Sequence, residues 1–153
     1  MIKHLKTVLL ALLLLLPALS NAANRMSRVY MYGFACSFND STVAFTSIQG
    51  VDSCYLQSRT GFLVSRDNYS YQLRDYLKSK GVTDATCIVV FSPKRKKVEK
   101  RYAKMLKRYE HPKKGNFIVK KISNADFKFS GIEPYDSVAA SGGKAKGKKA
   151  KQK

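Results

Sequence analysis

Apolar and small residues fill both alternating sets of positions between Arg28 and Phe38, RVYMYGFACSF, a pattern that predicts a β-strand. Tyr30, Tyr32, Phe34, Cys36 and Phe38 share one face, and Val29, Met31, Gly33 and Ala35 the other. Neither face is polar, as in a strand near the middle of a covered sheet. Asn39-Asp40 is a turn signal, and STVAFTSIQ beyond it again has strand composition. A two-residue loop makes a hairpin with Phe45 opposite Phe34, Ala44 opposite Ala35 and Val43 opposite Cys36.

The period then changes. From Asp67 to Gly81, Tyr69, Leu73, Tyr76 and Leu77 recur at helical spacing. Asp67 or Asn68 is expected to cap the start, and Gly81 the end. TDATCIVVFS is a buried-strand pattern. SPKRKKVEKRYAKMLKRYEHP is a second helix, with Ser92 as N-cap and Pro93 at the first helical position. NFIVKKIS is a further strand, and DFKFSGIEPYD a short edge piece. Residues 50–66 either extend the hairpin's second strand or form a small pair around SRTG.

The order strand, strand, helix, strand, helix, strand predicts an α+β two-layer sandwich. Its mixed sheet has four or five strands, from an N-terminal hairpin that supplies antiparallel edges and a βαβ unit, with both helices on one face. Two helices are too few for a flavodoxin-like three-layer fold.

The ends of the chain set its compartment and charge. Residues 1–22 read as a secretory signal: a basic start, an apolar run broken by Pro17, and small residues at Ser20 and Ala22 before a cut. The single domain is expected over 23–136. From Ser137 the chain loses aromatic and large apolar residues after Val138, and six of its last ten residues are Lys, so 137–153 is expected to be a disordered basic tail. Removing Lys3 and Lys6 lowers the formal net charge from +19 to +17. That charge favours polyanionic partners over 131 residues.

Charge is densest on the second helix. Val98, Tyr102, Met105, Leu106 and Tyr109 form an apolar stripe, and Lys96, Lys97, Lys100, Arg101, Lys104, Lys107 and Arg108 the opposite face. Those seven residues, with Lys144, Lys146, Lys148 and Lys149 of the tail, are the candidate anion-binding set. PKRKK resembles a nuclear address, which an exported chain has no use for. No helix-turn-helix pair, zinc finger or RNP-type strand points to sequence-specific nucleic acid.

Other chemistry is sparse. No CxxC motif occurs and one His, His111, lies beyond the signal, so no metal site and no cofactor are expected. Cys36 and Cys87 sit in apolar runs and read as buried hydrophobes. Cys54, in the more polar VDSCYLQ, is the candidate nucleophile of an alternative enzymatic reading. A second alternative is a protein-binding or structural module that uses the Tyr-rich sheet. Asn39-Asp-Ser and Asn68-Tyr-Ser match the glycosylation pattern, which matters only in a eukaryotic secretory route.

RVYMYGFACSFNDSTVAFTSIQGVDS followed by FLVSRDNYSYQLRDYLKSKGVTDATCIVVFSPKRKKVEKRY resembles a functionally uncharacterised group of small exported proteins of Gram-negative gut-type bacteria. The resemblance spans roughly residues 28–129 and leaves out the Lys-rich tail. It implies a periplasmic or extracellular setting and no particular site residues. The expectation is a non-enzymatic exported domain whose basic helix and tail contact anionic envelope polymers or lipid head groups.

Overall fold

The computed structural model describes residues 24–37, 39 and 41–134. The signal-like segment, the basic tail, Phe38 and Asp40 lie outside the described residues. Five strands and two helices follow in the order β1 (Asn24–Ser37), β2 (Thr42–Thr46), β3 (Gln49–Gln57), α1 (Arg66–Ser79), β4 (Ala85–Ser92), α2 (Arg95–Glu110) and β5 (Ile118–Ile122). The fold is α+β with a mixed sheet, as the element order predicts.

β1 is the centre of the sheet. Its residues 30–37 pair antiparallel with β4. Its other edge is shared: Phe34, Ala35 and Cys36 face Phe45, Ala44 and Val43 of β2 in the expected hairpin register, and residues 24–31 face β3. β2 and β3 are therefore two lengths of one interrupted partner. At the interruption the Gly33 N–H donates to the side-chain Oγ1 of Thr46, the last residue of β2, at 2.8 Å, which satisfies a buried backbone group. β5 adds in parallel outside β2. The hairpin thus supplies the middle of the sheet rather than its edges. β4 and β5, the ends of the expected βαβ unit, run parallel with β1 and β2 between them.

The two faces of β1 are covered by different helices, which corrects the expectation that both share one face. Met31 and Ala35 pack with Tyr69, Leu73 and Leu77 of α1. Tyr32 and Phe34 pack with Val98, Tyr102, Met105, Leu106 and Tyr109 of α2. The reason is visible in β1 itself: both of its faces are apolar, so both need cover. Each helix makes a helix-on-sheet layer with its own face.

Helix starts also differ from expectation. α1 begins after Ser65, whose left-handed backbone (φ 56°) offers no side-chain cap, and Asp67 lies in the first turn. α2 begins after Lys94. Ser92 is instead the last residue of β4, and its Oγ accepts the Lys94 N–H at 3.1 Å. Gly81, at φ 85°, ends α1 as expected, and its N–H donates to the Lys78 carbonyl.

Residues 50–66 realise both readings. β3 continues alongside β1, and a small hairpin follows, with Leu56 bridged to Leu63 and the Gln57 N–H donating to the Phe62 carbonyl. The described residues after β5, 123–134, form no strand in place of the expected edge piece. They cross the α1 face as a strap, burying Phe127 and Phe129. Two side-chain amides hold it as a neighbouring strand would. Gln49 donates to the Phe127 carbonyl (2.8 Å) and accepts from the Phe129 N–H (2.9 Å). Gln72 does the same with both backbone groups of Ser130.

Candidate functional site

α2 docks through the stripe that its periodicity predicts. Val98 is fully buried, and Tyr102, Met105, Leu106 and Tyr109 are half-buried. Tyr102 meets Tyr32 edge-on at 4.9 Å between ring centres, and Tyr109 lies 5.0 Å from Phe34. Such ring pairs contribute about 0.5–1.5 kcal/mol each beyond their buried area. Burial pushes the Tyr32 phenol up to about 12, with nearby Arg101 opposing the shift. Its hydroxyl donates to Met105 Sδ at 3.5 Å.

The anchored stripe turns the opposite side of α2 outward. Lys96, Lys97, Lys100, Arg101, Lys104, Lys107 and Arg108 are all exposed. The helix has two carboxylates, and both are engaged elsewhere. Glu99 pairs with Arg95 at 2.8 Å and Glu110 with Lys121 of β5 at 2.9 Å. Among the described residues none of the seven forms an ion pair. Arg101 makes one neutral contact, donating to the Phe91 carbonyl of β4 at 3.4 Å.

Lys96–Lys100, Lys97–Arg101, Lys100–Lys104 and Lys104–Arg108 are like-charge neighbours one turn apart. Each costs about 0.2–0.5 kcal/mol. An anion laid along the face relieves that repulsion directly, whereas dissolved salt only screens it.

Two shallow clefts border this face. One, of about 330 Å³, is lined by Phe62, Arg66, Phe91, Lys97 and Arg101 among others. The other, of about 300 Å³, lies between β4 and α2 over Tyr32, Val90 and Met105, with Arg101, Lys104 and Arg108 around it. Arg66 and Phe62 carry no sequence signal for this role. Only the tertiary path of the hairpin brings them beside α2.

Cys54 is fully buried, the reverse of the exposure its polar neighbours imply. Its thiol donates to the Val51 carbonyl (3.5 Å) and accepts from the Tyr69 hydroxyl (3.4 Å), and burial raises its pKa. A neutral, enclosed thiol is a poor nucleophile. Cys36 and Cys87, expected to be buried, are half-buried. They pack into opposite clusters, so the sheet separates them. His111 is exposed at the C-cap of α2. Tyr32, Phe34 and Phe45, the heart of the Tyr-rich face, lie beneath α2. Arg28 and Arg95 both sit over the half-buried Tyr30 ring.

No group of three or more His, Cys, Asp or Glu that could hold a metal occurs among the described residues. No helix among them is long and apolar enough to cross a membrane. No protein-family model matches the chain, and neither the curated proteins nor the solved structures contain a match, so the functional reading rests on the geometry of the site.

Proposed function

We propose that this protein is a non-enzymatic binding domain of the bacterial envelope, exported by its N-terminal segment. It contacts anionic polymers or lipid head groups through the outer face of α2, extended by Lys144, Lys146, Lys148 and Lys149. The observation that carries the reading is the charge arrangement on α2. Seven exposed cations lie on one anchored helix, and both of its carboxylates are paired with other cations. A solvated face gains nothing from such crowding, whereas a polyanion-binding face does.

The test is retention of the full chain, after removal of residues 1–22, on heparin and on anionic vesicles across a salt series. Strong retention at low salt is expected, lost progressively as salt rises. Replacement of Lys96, Lys100 and Lys104 by Gln should move elution to lower salt. Weak retention at low salt, or unchanged elution of the triple variant, overturns the reading.

A further inference from the structure

We infer that the two clefts beside α2 form one bipartite groove for a single anionic amphiphile, a phosphate-headed molecule with an alkyl tail. The inference goes beyond binding to an extended polyanion and rests on that reading only in sharing cations with it. Arg101 lines both clefts and is the residue they share.

Their chemistry differs. At one end Arg66, Lys97 and Arg101 all line the cleft, with no Asp or Glu in the lining. Three cations suit a dianionic phosphate better than a single carboxylate. Phe62, 57% exposed, stands at the rim. At the other end Val90 and Met105, which α2 leaves half-exposed, form an apolar floor with the buried Tyr32 ring behind them. Ile88, two residues along β4 on the same face, remains 37% exposed and continues that surface along the strand. Lys104 and Arg108 border the apolar end, and their aliphatic stems can lie along a tail.

An extended polyanion uses the cations and leaves the apolar floor bare. A neutral lipid uses the floor and leaves Arg66, Lys97 and Arg101 unpaired. A phosphate head joined to an alkyl tail uses both, with Arg101 at the junction.

Titration calorimetry of the full chain after removal of residues 1–22 tests this, with dodecyl phosphate below its micelle concentration. Inorganic phosphate and dodecyl maltoside serve as the head-only and tail-only controls. Dodecyl phosphate is expected to bind at least about tenfold tighter than either control, since burial of the tail adds to capture of the head. Arg66→Ala, an exposed position off α2, should weaken dodecyl phosphate several-fold and leave heparin elution nearly unchanged. Lys100→Ala, on the outer face away from both clefts, should do the opposite. Met105→Gln should remove most of the advantage over inorganic phosphate, with its fold checked by thermal melting. Equal affinity for dodecyl phosphate and either control overturns the inference, as do equal losses in Arg66→Ala and Lys100→Ala. If heparin retention persists while dodecyl phosphate fails, the groove is refuted and the polyanion reading stands. If dodecyl phosphate binds while heparin retention fails, the groove stands alone.

Discussion

Single residues decide how closely the layers meet. Gly33 lies at the crossing of β1 beneath α1, where a Cβ would stand 2.5 Å from Leu73 Cδ2 and about as close as contact allows to Phe129 and Thr46. Its backbone is not in the left-handed region, so the constraint is space alone. Gly33→Ala is expected to destabilise the fold by about 1–3 kcal/mol, read from urea unfolding midpoints. Buried hydroxyl and thiol groups set the alkaline limit. Burial raises Tyr32 to about 12 and Cys87 to about 11, and Cys54 and Tyr69 shift in the same direction. In each case the folded state holds its proton more tightly than the unfolded chain. Their contribution is therefore full below the ordinary values of 9.0 and 10.0 and is lost as pH climbs through the raised ones. Unfolding midpoints should fall from about pH 9 upward, and Cys54 should resist alkylation until the protein unfolds. Rapid labelling of Cys54 in the native state would contradict this enclosure.

At the scale of elements, the strap and α2 make opposite demands. The strap has no ladder of its own and depends on the amides of Gln49 and Gln72. Gln49→Ala orphans the buried backbone groups at Phe127 and Phe129, at a cost of about 1–3 kcal/mol for each group left unsatisfied. Hydrogen exchange at the Phe129 amide should accelerate well before that of β1 amides. On α2 the charges oppose stability. Lys100→Gln removes the Lys96–Lys100 and Lys100–Lys104 repulsions and should stabilise the helix by a few tenths of a kcal/mol, while heparin elution moves to lower salt. A substitution that improves folding and weakens binding separates a functional face from a merely solvated one. A Lys100→Gln variant with unchanged elution would leave the crowding without a role.

Across the whole molecule, charge and fold are separable. The net charge of +19 resists compaction without shaping the core. Raising ionic strength from 0.01 M to 0.15 M shortens the screening length from about 30 Å to about 8 Å, so the melting temperature should rise with salt. A polyanion such as heparin should raise it further at low salt, because a ligand of the native state stabilises by mass action. A melting temperature indifferent to both would contradict a repulsive, ligand-relieved surface. Local periodicity determined much of this architecture. The alternation in β1 and β2 set the Phe34–Phe45 register, and the 3.6-residue stripe of α2 set which of its sides docks and which bears the cations. These are properties of neighbours in the chain, so the sequence carries them. The tertiary structure alone decided that the helices cover opposite faces, that β2 lies inside the sheet with β5 outside it, that Cys54 is enclosed, and that Arg66 and Phe62 join Lys97 and Arg101 around one cleft. Periodicity tells which side of an element is apolar. It does not tell which of two apolar sheet faces that side will cover, because that depends on how distant segments share the same space.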